Sequence, residues 1–168
     1  MPTVQEFLNR WSGSSGSERA NAQPFFIDLC DLLGVERPRV SGPEFEAFRF
    51  EKAVWVPTPD GGGTQRFIDL YKRDCFVIEN KQANDPEDPT SGVRRGSAPW
   101  QAFMERAFVQ ARQYAINLPE GRPPFVITCD IGHCFEIWSG FGEGGYGQYP
   151  AGRRILMSDL ARPEVRDE

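Results

Sequence analysis

Arg66-Phe-Ile-Asp-Leu-Tyr-Lys-Arg-Asp-Cys-Phe-Val-Ile-Glu-Asn-Lys-Gln82 is the stretch on which the reading of this chain turns. It reads as two β-strands joined by a tight polar turn. Asp69, Glu79 and Lys81 stand where such strands ordinarily carry packing residues. Side chains alternate along a strand, so Glu79 and Lys81 share a face. Whether Asp69 joins them depends on register. A two-residue turn at Arg73-Asp74 pairs Asp69 with Ile78 and separates the carboxylates, because a slip of one residue inverts every side chain. A three-residue loop, Arg73-Asp74-Cys75, sets Asp69 across from Glu79. The second register is favoured, since it also gathers Ile68, Leu70, Phe76 and Ile78 on the opposite, core-facing side.

Two facing carboxylates repel and have raised pKa values unless a cation lies between them. A hard divalent ion answers that need, because Mg²⁺ takes oxygen ligands and retains several waters. A lysine beside it orients or helps deprotonate a water and steadies the charge of an attacked phosphate. Asp-x9-Glu-x-Lys therefore points to metal-dependent phosphodiester hydrolysis. The competing reading is a solvated strand face bearing a cross-strand ion pair, which is ordinary in antiparallel sheets.

On these residues the chain resembles the PD-(D/E)xK nuclease superfamily. With Phe50-Glu51-Lys52 and Gln110-Ala-Arg-Gln-Tyr114 added, it resembles more closely the N-terminal nuclease region of MmeI-like, type IIL restriction-modification enzymes, over roughly residues 18–160. Ile68 stands where the superfamily name implies proline. The resemblance implies an α/β fold with an αβββαβ core, a mixed sheet flanked by helices. It also implies a type II, Mg²⁺-dependent DNA endonuclease, with Mn²⁺ a possible substitute, in a host-defence setting. Asp69 and Glu79 would be metal ligands, joined by the Asn80 carbonyl, and Lys81 would position the water. Gln110 and Tyr114 match a Gln-x-x-x-Tyr helix that packs beside the site in one branch of the superfamily and holds the lysine or a phosphate oxygen. The substrate would be double-stranded DNA. Methyltransferase and recognition regions would lie further along the polypeptide, where the methyl donor S-adenosylmethionine would bind. Because one active site cuts one strand, transient dimerisation on DNA is expected. The reading of a different class is a catalytically idle nuclease-fold module that holds DNA or a partner subunit.

The 168 residues suffice for one core. The expected organisation is an N-terminal segment 1–17, a nuclease domain 18–160 and the start of a linker, 161–168. No apolar run approaches a membrane span and the N-terminus lacks a signal-peptide core, so a cytoplasmic location is expected. Cys30, Cys75, Cys129 and Cys134 show no paired metal spacing and are expected to be reduced. The net charge of −5 argues against a free-standing DNA binder, since cationic side chains supply most non-specific affinity. Either the domain binds no nucleic acid, or another part of a longer protein holds it there.

Around the hairpin, Val4, Phe7, Leu8 and Trp11 form an amphipathic start. A helix is expected from the N-cap Ser17 to the C-cap Gly34, with Phe25, Phe26, Leu29, Leu32 and Leu33 facing the core and Pro24 kinking it or resetting its start. Glu18, in its first turn, is either a further acidic ligand or a carboxylate favoured by the helix dipole. Glu51 is weighed in the same way, as a site residue from the preceding strand. The Gly61-Gly62-Gly63 run is read as a turn, because no lysine-serine pair or following helix accompanies it. The polar connection from Gln82 to Pro99 is long, and its Arg94 and Arg95 are candidates for DNA-backbone contacts. A helix from Ala98 to Leu118 follows, capped by Ser97 with Pro99 in its first turn, and it carries Phe103, Ala107, Gln110 and Tyr114 on one face. Phe125–Cys129 reads as a central strand, and Cys134–Trp138 returns after a turn that contains His133. That histidine offers poor ligand geometry. The glycine-rich run from Gly140 to Gly147 is expected to be a flexible loop.

Overall fold

The computed structural model describes residues 2–14, 16–42, 45–83, 92–142, 145–148 and 154–167. Helix α1, Val4–Trp11, is closed at its start by a capping box. There the Glu6 amide donates to the Thr3 hydroxyl and the Thr3 amide to the Glu6 carboxylate. Helix α2, Glu18–Leu33, runs from Ser17 to Gly34, which ends it in the left-handed region at φ 66°. Pro24 lies inside α2 and does not divide it. Its buried side chains are Phe25, Phe26 and Cys30, whereas Leu33, expected in the core, is 36% exposed at the last turn.

A seven-stranded mixed sheet follows. Strands β1 (Phe48–Pro57), β2 (Gly63–Lys72), β3 (Phe76–Lys81), β4 (Phe125–Asp130), β5 (Cys134–Gly142) and β6 (Gly145–Gln148) are neighbours in that order, and β7 (Ile155–Leu156) pairs with β5. Every pairing is antiparallel except β3 with β4. That parallel pair is joined through helix α3, Ala98–Ile116, which supplies the crossover that parallel strands require. The Ser97 hydroxyl accepts the Trp100 amide at the start of α3. The helix stops at Ile116, two residues before the expected Leu118, with Asn117 as its cap.

Helices cover both faces of the sheet. Helices α1 and α2 pack on one, with Leu70, Ile78, Cys129 and Phe135 beneath them. Met157, Leu160 and Val165 from the chain's end join this same cluster. Helix α3 covers the other face, placing Ala111, Tyr114 and Ala115 over Tyr71, Val77 and Val126. Both ends of the chain thus enter one core.

The Gly140–Gly147 run, expected to be a loop, instead lies largely in β5 and β6. Gly140 serves packing. A Cβ on Gly140 would come within 2.8 Å of the Tyr146 ring, and the Tyr146 hydroxyl donates to the Pro123 carbonyl. The four cysteines are free thiols. No helix among the described residues is long and apolar enough to cross a membrane.

Candidate active site

The β2–β3 hairpin adopts the three-residue-loop register. Lys72 pairs with Phe76, Tyr71 with Val77 and Leu70 with Ile78. The Cys75 amide closes the turn on the Lys72 carbonyl at 3.1 Å, and Asp74 takes the left-handed position at φ 56°, a conformation that Asp tolerates better than most residues. Continued by one step, the register sets Asp69 across from Glu79, but the strand pairing stops there. The Asp69 Oδ2 accepts the Asn80 amide at 2.8 Å, so a side chain continues what the backbone ladder began.

The ladder on the other side of Asp69 is broken too. Phe50 pairs with Leu70 and Lys52 with Ile68, but Glu51, opposite Asp69, is unpaired and has φ 51°. A non-glycine residue in that region is uncommon. Across this break the packing changes. Leu70, Phe76 and Ile78 lie under α1 and α2 as expected, but Ile68 groups with Val54 and Val56 under α3. The expectation that all four share one face fails at Ile68 because the irregular step intervenes. Asp69 therefore sits in a gap between three strands.

Glu79 is 2% exposed. Its Oε1 accepts the Lys81 ammonium at 2.8 Å, while its Oε2 is buried without a hydrogen-bond partner. Burial raises the pKa of both Asp69 and Glu79, and the charge of Asp69 raises Glu79 further. Burial opposes the Lys81 charge, but Glu79 and then Glu18 outweigh it and hold the amine above the usual lysine range. Glu18, the first residue of α2, thus acts electrostatically on both Glu79 and Lys81. The Asn21 side-chain amide of α2 donates to Gln82 Oε1 at 3.0 Å, which fixes that first turn beside the end of β3.

From α3, Gln110 Nε2 donates to the Tyr114 hydroxyl at 2.9 Å. Tyr114 is 5% exposed, and its pKa is raised by burial first and by Glu79 second. The Gln-x-x-x-Tyr pair is therefore a hydrogen-bonded unit in electrostatic contact with Glu79. The Asn80 side chain belongs to the alternate face of β3, and its buried Oδ1 has no partner. Its main chain is the part tied to Asp69.

Arg94 is exposed. Arg95, expected to be available to DNA, is instead committed inside the protein. It grips Asp130 through Nε and Nη2 at 2.8 and 2.9 Å and also donates to the Ile131 carbonyl. Trp100 Nε1 and the Ala83 amide complete the shell of Asp130, at 2.9 and 3.1 Å. Asp130 follows the expected strand Phe125–Cys129, at the start of the turn that contains His133. It is the fully buried last residue of β4, paired across the sheet with Lys81. The only signal in the chain was a charged residue closing the apolar run Phe125–Cys129. Residues 84–91 of the long polar connection lie outside the described residues. His133 meets the Trp100 ring edge-on at 5.3 Å, and burial holds its pKa below the usual histidine range.

Among the described residues no group of three or more His, Cys, Asp and Glu side chains is placed to hold a metal. A half-buried and a buried carboxylate of raised pKa, the second with an oxygen unpartnered among the described residues, are what remains. Such a donor set suits a hard cation that keeps most of its waters. No curated protein matches this chain, and no solved structure does. A family model, the N-terminal domain of MmeI, matches residues 2–165. The chain belongs to the family of MmeI N-terminal domains.

Proposed function

We propose that this domain is a Mg²⁺-dependent DNA endonuclease with a PD-(D/E)xK core, acting as the cutting region of a restriction-modification protein. The observation that carries the reading is that Asp69 and Glu79 lie close enough to interact in the gap where the β2–β3 ladder stops. Lys81 is bonded to one Glu79 oxygen and the other oxygen is left without a partner. The order of three antiparallel strands, a crossover helix and a parallel fourth strand supports the core assignment. Family membership supports the setting.

In this reading Asp69, Glu79 and the Asn80 carbonyl hold the ion, with Glu18 adding negative charge from α2. Mg²⁺ or Mn²⁺ held there would lower the pKa of a water and neutralise charge on the phosphate. Lys81 remains an ammonium at neutral pH, held so by Glu79 and Glu18. It therefore serves as a hydrogen-bond donor rather than a base, orienting the attacking water or stabilising a non-bridging phosphate oxygen. Gln110 and Tyr114 keep that end of the site in place from α3. The substrate is double-stranded DNA. The recognition and methyl-transfer functions, with S-adenosylmethionine, belong to other regions of the full protein. Cutting both strands calls for two copies on one DNA, which sedimentation with and without DNA would detect.

The test is titration of Mg²⁺ or Mn²⁺ into the wild type and the Asp69→Ala variant, followed by plasmid nicking in the same buffers. Metal binding that disappears with Asp69, together with metal-dependent nicking, is the expected result. An ion that binds both proteins equally, or not at all, would reduce the acidic gap to a structural feature.

A further inference from the structure

Several arginines of this acidic protein are neutralised by carboxylates among the described residues. Arg10, Arg37, Arg49, Arg95, Arg154 and Arg162 each make an ion pair. Arg66 and Arg106 are different. Both are exposed, and neither makes a hydrogen bond or ion pair with a described residue. They nevertheless stand together as walls of one open groove of about 600 Å³, which also takes in Gln110 and Tyr114.

The groove's position follows from the chain. Along α3 its residues recur at helical spacing from Ala102 to Tyr114, a continuous stripe roughly 18 Å long at 1.5 Å per residue. Arg66 faces that stripe from β2, three residues before Asp69. Tyr114 joins groove and site, because its phenol feels both Glu79 and Arg66. Through Tyr114 the groove therefore neighbours the acidic gap on the α3 side of the sheet.

We infer that Arg66 and Arg106 are phosphate-binding residues, and that the groove between them guides the backbone of the DNA strand to be cut toward Asp69, Glu79 and Lys81. The inference rests on the nuclease reading above and adds to it the path of the substrate. Its support is charge complementarity. Two guanidiniums without hydrogen-bond or ion-pair partners among the described residues, with the amide of Gln110 lining the same groove, are the donors a phosphodiester backbone needs. One strand carries a phosphate every ~3.4 Å along the duplex axis, so a channel of this length spans roughly five of them. Glu105 is the one carboxylate in the groove. It precedes Gln110 by about one and a half turns and Tyr114 by about two and a half turns of α3, away from the end that adjoins the site.

The decisive experiment compares the wild type, Arg66→Gln/Arg106→Gln, Arg66→Lys/Arg106→Lys and Asp69→Ala. Binding of a fluorescent duplex is followed across a salt series in EDTA, and cleavage kinetics are followed in Mg²⁺. The glutamine pair is expected to reduce the slope of log K against log salt by about 1.8, two contacts at ~0.9 each. Its KM should rise about tenfold with kcat within twofold, and the lysine pair should restore most of both. Thermal melting of both surface pairs should match the wild type, which excludes misfolding as the cause. An unchanged salt slope, a loss confined to kcat, or a wild type that binds no duplex even at low salt would overturn the assignment. The two readings fail separately. Cleavage abolished by Asp69→Ala alongside an unchanged slope in the glutamine pair rejects the groove and keeps the nuclease. Cleavage indifferent to Asp69 rejects the nuclease whatever the slope.

Discussion

Glu79 and Asp130 are both buried, and they lie near the carboxyl ends of the two parallel strands, but their surroundings are opposite. Asp130 accepts four hydrogen bonds from Ala83, Trp100 and Arg95, so both its oxygens are satisfied. Glu79 accepts one from Lys81, keeps an oxygen with no partner and faces a second carboxylate. Buried polar groups in folded proteins are nearly always paired, so a deficit calls for an explanation. At Asp130 the folding problem is solved by the protein alone. At Glu79 the described residues leave one carboxylate oxygen unpaired.

That contrast can be broken in several ways. Asp69→Ala or Lys81→Ala should reduce metal-dependent DNA cleavage by about 10³-fold and leave the fold intact, as judged by circular dichroism. Retention of a tenth of the activity would remove the gap from the chemistry. Asp130→Ala should act on stability instead. It strips the partner from a mostly buried guanidinium, which typically costs about 3–5 kcal/mol, read as the shift in urea midpoint. If it falls below ~1 kcal/mol, the two carboxylates are not of different kinds.

A third prediction concerns pH without metal. The folded pKa values of Asp69 and Glu79 are raised, so the native state binds more protons than the unfolded chain. Stability from this pair is fully present below the ordinary carboxylate range. It is lost as pH rises toward about 8, the upper limit set by Glu79, with a slope of at most about 1.4 kcal/mol per pH unit for each proton. Asp69→Asn should flatten that slope. Mg²⁺ at a hundred times its Kd should stabilise the wild type by about 2.7 kcal/mol at neutral pH and leave Asp69→Asn unmoved. A metal-free slope of the opposite sign would show that neither carboxylate titrates high. The smallest expected effect is at Tyr114→Phe, which removes the acceptor of Gln110. Disturbing a supporting contact of this kind should lower kcat about tenfold with little change in melting, and an equal loss in both would mark the pair as packing.

The hairpin was legible because its register follows from local facts, namely the loop length and the alternation of Leu70, Phe76 and Ile78. The α2 boundaries were legible from Ser17 and Gly34, and the Gln110–Tyr114 pair from helical spacing. Ile68 was not, because the break at Glu51 depends on a strand more than ten residues away in sequence. The Gly140–Gly147 run was misread because composition alone cannot tell a mobile glycine from one that makes room for Tyr146. Asp130 was missed for the same kind of reason. Its partners Ala83, Arg95 and Trp100 come from a different part of the chain, and nothing local announces that they meet.

The bond from the Asn80 amide to Asp69 sets different tolerances for substitution at the two carboxylate positions. Asp69 reaches that N–H across a gap fixed by the spacing of β2 and β3, so the length of its side chain is dictated by the sheet. A glutamate there would overshoot by a methylene, and asparagine would preserve the hairpin while removing the charge. Glu79 accepts no hydrogen bond from the main chain of the described residues, and nothing in the backbone dictates its length. Variation among related chains should therefore be confined to aspartate at the first position and permit either acid at the second.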